Sequence, residues 1–408
     1  MKYALSLILC LTLVVTAHAD TPAPFSDRLT GDWGGARSTL AEHGVTMDLE
    51  WSNYFQGLMS GTGSKKWEYG GHGDGYLTFN TGKMGLWEGG VFRFHAEGFG
   101  GPLTPSLGGV LSPSNLGMKL PLSLSTEDLD VTAISFSQKI GDNANLMIGK
   151  INTVDLLAGD PFFGGAGTTR FFNLAFAAPP TGLTPGVVMG GLLSLATPPF
   201  SWTLMVYDPN DRTSDYWPDD LFADGVNVSM SSKYSTPIAG RTSSIALSGI
   251  YSTKDSVDLG QVLLPAFLRE SGVKSGSWQV GIQLAHFLYE NPAMPGDGWG
   301  LFLKAGISDG NPNPFQGTIS GGIGGKSFFK CRPNDTWGLG YFYYNLSDDL
   351  QDALDPLLKI DDEQGVELYY NLALTPWFIL GFDLQYVDPG LGANKDAFIG
   401  GLRARIRF

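Results

Sequence analysis

The stretch that most limits the fold is Lys395 to Phe408, KDAFIGGLRARIRF. Every second residue from Phe398 is apolar or small: Phe398, Gly400, Leu402, Ala404, Ile406 and Phe408. The intervening set is Ile399, Gly401, Arg403, Arg405 and Arg407. Period two with opposite chemistry on the two faces is a β-strand signal. Apolar-out, polar-in alternation with aromatic residues at the strand ends marks a membrane β-barrel. A strand in lipid tolerates no free edge, because each unpaired amide there costs several kcal/mol. A partner is therefore required near the start of the chain. Val45 to Phe55 supplies it, with Val45, Met47, Leu49 and Trp51 on one face and Thr46, Asp48, Glu50 and Ser52 on the other.

A length of ~400 residues ordinarily suggests two or three soluble domains, and one large closed barrel also fits, since a barrel does not divide into cores. The 408 residues include 56 glycines, 12% aromatics and only 16% charged residues. Beyond the N-terminus no window reaches the ~18 apolar residues of a spanning helix. A net charge of −14 argues against nucleic acid, whose binding depends on clustered Lys and Arg. Residues 1–19 read as a secretory signal, with Lys2 at the start, an apolar run from Leu5 to Val15, and Ala17-His18-Ala19 before the cut. Residues 20–44 read as a short helical segment on the inner side, with Thr30 as a cap and Gly44 as the stop. The barrel is expected over 45–408.

The same alternation predicts sixteen strands, near 45–55, 67–84, 90–100, 129–142, 144–154, 186–197, 200–209, 225–236, 241–253, 276–290, 298–309, 317–330, 335–346, 364–374, 377–387 and 395–408. Connections after even strands are short, as at 143, 198–199 and 375–376. Those after odd strands are often long, as at 101–128, 155–185, 254–275 and 347–363. Short turns on one side and long loops on the other is the outer-membrane arrangement. The fold class expected is all-β, a 16-stranded antiparallel transmembrane barrel. Its lumen is wide enough for an aqueous channel unless loops fold in.

Two stretches carry a family resemblance. LTGDWGGARSTLAEHGV (Leu29 to Val45) resembles the N-terminal signature of the carbohydrate-selective porins, the OprB family. GKINTVDLLAGDPFFGGAGTTRFFNLAFAAPP (Gly149 to Pro180) is similar to that family's fifth strand and constriction loop. The resemblance extends over the whole chain after the signal. It implies a Gram-negative outer-membrane barrel that passes small sugars by diffusion through a lumen narrowed by inward-folded loops. Outer-membrane lipid, the barrel-assembly machinery and a homo-oligomer are the partners it suggests.

A sugar channel needs flat aromatic faces for the C–H surface of a pyranose and directed polar groups for its hydroxyls. Strand 90–100 offers Arg93, His95 and Glu97 on one face, which must be luminal because a charge against lipid is costly. Loop 155–185 offers Asp160, Phe162, Phe163, Arg170, Phe171, Phe172 and Asn173. So aromatic a loop is an aggregation hazard if it stays in water, and folding into the lumen removes the hazard. Its phenylalanines then either face solute or anchor the loop to the wall. Parity makes Arg403 and Arg405 luminal, where they balance Asp48 and Glu50 on the neighbouring strand.

The acidic run in 348–363 has the chemistry to hold Ca²⁺, but such a run is more commonly a solvated outer loop. No metal or cofactor is expected. No GxSxG, HExxH, paired-Cys or P-loop motif occurs. The competing readings are a general or organic-acid channel, an outer-membrane hydrolase dependent on His95, and a receptor with a plugged lumen.

Overall fold

The computed structural model describes residues 24–118, 129–177, 183–263, 273–355 and 357–408. The expected signal at 1–19 lies outside the described residues. Sixteen strands close into one antiparallel barrel. They are β1 Val45–Ser60, β2 Trp67–Asn80, β3 Gly90–Gly100, β4 Leu129–Ile140, β5 Ala144–Asn152, β6 Val187–Thr197, β7 Phe200–Tyr207 and β8 Asn227–Ile238. The second half comprises β9 Arg241–Val257, β10 Val273–Glu290, β11 Gly298–Ser308, β12 Phe315–Lys326, β13 Thr336–Leu346, β14 Glu363–Thr375, β15 Phe378–Asp388 and β16 Ala397–Arg407. Each strand pairs with its sequence neighbours, and the seam is β1 against β16, with Glu50 opposite Arg407, Ser52 opposite Arg405 and Tyr54 opposite Arg403.

Burial along the strands is inverted relative to a soluble protein. On β15, Phe382, Leu384 and Tyr386 are exposed while Asp383 and Gln385 are buried. On β14, Val366 and Leu368 are exposed while Glu363 and Glu367 are fully enclosed. Such a surface is stable only where the outside is hydrocarbon. Outward aromatics gather at both rims. Toward the turn end Trp87 and Phe92 meet Phe136, Phe200 stacks beside Trp202 and Tyr234, and Trp299 meets Trp337. Toward the loop end Phe55 packs on Trp67. These are the two interfacial belts expected of a spanning barrel.

The N-terminal helix covers Ala36–Glu42 at the turn end. Its cap differs from expectation: Gly35 holds the N-cap position in a left-handed conformation (φ 97°), which favours glycine. Thr30 instead accepts a hydrogen bond from Trp33 Nε1, and Asp32 accepts from the Ser38 amide and hydroxyl. Arg37 reaches from the helix to the Phe408 carbonyl at 3.0 Å, tying the segment to the seam.

Candidate functional site

Two loop segments, 101–118 and 153–177, fold into the lumen and lie against each other, through Leu116 N to Phe172 O (2.6 Å) and Leu174 N to Pro113 O (3.0 Å). Loop backbone inside a barrel carries amides and carbonyls that need partners. The wall supplies them with acidic and basic side chains. Glu363 accepts from the amides of Leu111 and Ser112, both at 2.6 Å. Glu367 accepts from the amides of Phe172 (2.5 Å) and Asn173 (3.0 Å). Arg403 donates to the carbonyls of Gly167 (2.6 Å) and Arg170 (3.0 Å), and its guanidinium lies 4.2 Å over the Phe172 ring.

The loop phenylalanines complete the attachment. Phe162 packs on Phe287 and Phe302, and Phe163 meets Phe302 edge-on. Phe171 stacks on Phe176 with centroids 4.3 Å apart and abuts Tyr369. Strand glycines make room for these rings: a Cβ on Gly340 would stand 2.3 Å from Phe176 Cε1, and one on Gly338 would stand 2.8 Å from Phe171 Cζ. The loops are therefore held against β1, β10, β11 and β13–β16.

The side built by β7–β9 stays open. Beside the loop lies a cavity of about 430 Å³, bordered by Asp160, Ser231, Lys233, Gln283, Lys304 and Thr318. Asp160 accepts from Gln283 Nε2 at 2.7 Å and from the amides of Phe162 and Phe163. Lys304 donates to the Ala177 carbonyl and sits 4.0 Å over the Phe163 ring. Arg93 is 43% exposed, 3.4 Å from Asp155 and over the Tyr76 ring. Hydroxyls, amides and a few charges of both signs thus face the aqueous path.

Several residues singled out from sequence are placed differently. Phe162, Phe163, Phe171, Phe172 and Asn173 are 0–3% exposed and anchor the loop rather than line the path. Asn173 is consumed by Ser112, Ala175 and Gln385. His95 and Glu97 share the luminal face of β3 with Arg93, but they are enclosed beneath it in a polar cluster with His72, Asp74, Thr132, Asn152 and Asp155. Arg170 borders a separate recess of about 200 Å³ toward the turn end, with Lys326 and Asn371. Arg403 does not balance Asp48 or Glu50: the loop has taken it. Glu50 pairs with Arg405 and Arg407, and Asp48 pairs with Arg28. The residues that sequence reading passed over are Lys233, Gln283 and Lys304, although the parity of β8, β10 and β11 already placed them inward.

A sequence profile described as "Carbohydrate-selective porin, OprB family" matches residues 78–408. Porin B of Pseudomonas aeruginosa is 26% identical over 160 residues, a match that spans 34% of this chain and 34% of that protein. Among solved structures, the high-pH form of Pseudomonas putida OprB superposes with a TM-score of 0.83 at 18% identity, over 95% of this chain and 100% of the other. Its low-pH form gives 0.60 at 16% identity, over 94% and 99%. Salmonella typhi OmpF in complex with daunomycin gives 0.52 at 8% identity, over 90% and 98%. At these identities the structural likenesses establish the fold.

Proposed function

The chain belongs to the carbohydrate-selective porin family, OprB, and from that premise we propose that it is a passive outer-membrane channel preferring small carbohydrates. Family and fold point to a channel rather than an enzyme. The observation that carries the solute class is the open side of the lumen. Ser231 and Thr318 offer hydroxyls, Gln283 an amide, and Asp160, Lys233 and Lys304 directed charges, around a space of about 430 Å³. Such a surface exchanges hydrogen bonds with a polyol in many orientations and holds none tightly, because one such contact is worth only ~1 kcal/mol net in water. Weak contacts at several positions suit conduction, which requires that solute leave as readily as it enters.

A second reading has its own support. Arg93, Lys233 and Lys304 all face the path, which favours sugar acids or other small anions over neutral sugars. Liposome swelling with size-matched neutral sugars, sugar acids and amino acids separates the two. Faster swelling with neutral sugars is expected. Equal rates across the panel make the channel a general one, and faster entry of the acids makes it anion-preferring. We further propose that signal-directed export and the barrel-assembly machinery deliver the chain to the outer membrane.

A further inference from the structure

The enclosed cluster under Arg93 contains more metal-ligating chemistry than a loop support needs. His72 Nε2 lies 3.2 Å from Glu97 Oε1 and 3.5 Å from Asp74 Oδ1. The three donor atoms all fall within 4.8 Å of one another, and the three residues are 2–6% exposed. One imidazole N–H serves one acceptor well, yet here a single ring nitrogen faces two carboxylates. A cation with three ligand bonds of ~2.0–2.2 Å holds its donors ~3.2–3.6 Å apart in tetrahedral geometry. The two distances around His72 Nε2 lie in that range.

The surroundings are those of an oriented ligand set. The far oxygen of Glu97 accepts from Thr132 Oγ1 (2.5 Å) and Asn152 Nδ2 (2.7 Å), which leaves Oε1 turned toward His72. Asp74 Oδ1 is held by His95 Nε2 at 3.2 Å, and His95 Nδ1 is held in turn by Asp155 Oδ2 at 3.1 Å. The His72 ring is fixed edge-on against Phe99, with centroids 4.7 Å apart. Ligating carboxylates in metal sites are themselves hydrogen-bonded in this way. Asp155 belongs to the short helix Thr153–Leu157, which opens the inward-folded loop.

We propose that His72, Asp74 and Glu97 form a binding site for a divalent first-row cation of the zinc type. The cation joins β2 to β3, and through Asp74, His95 and Asp155 it fixes the start of the constriction loop. One imidazole and two carboxylates suit Zn²⁺ or Mn²⁺ and leave a position for water.

The test uses the full barrel, purified from membranes in detergent and, separately, refolded from urea with Zn²⁺ present. Metal is then counted by mass spectrometry after gel filtration. About one zinc per chain is expected, with Co²⁺ substitution giving the strong visible bands of a four-coordinate site. His72→Gln and Glu97→Gln should each abolish retention, while His286→Gln, on the outer wall, should retain the ion. Asp155→Asn touches no proposed ligand and should weaken affinity ~10–100-fold through the hydrogen-bond chain. If the ligand variants fold poorly, wild-type barrel carries the test alone: Zn²⁺ should raise its unfolding temperature and Mg²⁺ should not. No zinc above buffer in either preparation, or equal zinc in wild type and His72→Gln, overturns the site.

Discussion

Arg93 and Arg403 are both luminal by strand parity, yet they do opposite things. Arg403 is sealed under the loop with two backbone carbonyls and Asn371 as partners, whereas Arg93 keeps its charge in the aqueous path. Arg403→Ala should take the donor from the Arg170 carbonyl and from Asn371 Oδ1, leave Gly167 O held by Tyr54 alone, and release the loop. The expected loss is about 3 kcal/mol of barrel stability, since a buried group left without its partner loses ~1–3 kcal/mol. Single-channel conductance should rise with it, and unchanged conductance would show that the loop is held without this residue. Arg93→Ala removes one positive charge and a multi-donor group from the path. Cation preference in planar bilayers should increase, and block by glucose should weaken about fivefold, the equivalent of one ~1 kcal/mol contact. Wild-type selectivity in that variant would place the narrow point elsewhere. Sequence could not separate these arginines, because parity says which way a side chain points and not whether the lumen at that height is filled. The same limit applied to Phe162, Phe163, Phe171 and Phe172, where composition allowed both a solute-facing and a wall-facing role. The luminal glycines Gly338 and Gly340, which make the wall-facing role possible, pass unnoticed in a strand read for its hydrophobic face.

At the scale of elements the sequence was far more informative. All sixteen strands occur where alternation placed them, with ends moved by a few residues, because period two is imposed by the pleat itself and survives any packing. Loops carry no such period, and their fate depends on distant anchors such as Glu363 and Glu367. The connection 208–226 shows how a loop can be fixed from within. Arg212 gathers Asp208, Asp215 and Asp220 around one guanidinium. Burial alone would raise the Asp208 carboxyl, but Arg212 and the amides of Phe222 and Asn210 outweigh it and hold the group below its ordinary 3.8. A lowered carboxylate contributes stability above its unfolded value and loses it as the pH falls through the folded one. Hydrogen exchange in peptides covering 208–226 should therefore stay slow at pH 5, after correction for the intrinsic rate, and speed up only below 3.8. Loss of protection already between pH 7 and 5 would assign the order of this loop to something other than Asp208.

The whole molecule is completed at one seam. The Phe408 amide donates to Leu49 O at 2.8 Å, and its carbonyl accepts from Arg37, so this residue fastens β16 to β1 and to the N-terminal helix together. Deleting Phe408 should lower the yield of folded barrel, seen as loss of the heat-modifiable band on a gel, and leave the conductance of the surviving channels unchanged. Normal yield with altered conductance would contradict this. The seam also has a consequence in time. Neighbouring strands can form hairpins as soon as each pair is available, but the Arg37–Phe408 contact spans 371 positions and must wait for everything between. Bringing two points so far apart in a flexible chain together carries an entropic charge of about 5 kcal/mol, most of it removed if the hairpins form first. Zipping is then local and fast, and closure is the slow, final event. Until it happens the curved sheet has two open edges, each able to pair with another unfinished chain instead of its own. Yield should fall as expression rises, by a process second order in unclosed barrels, even though no strand pair has become weaker.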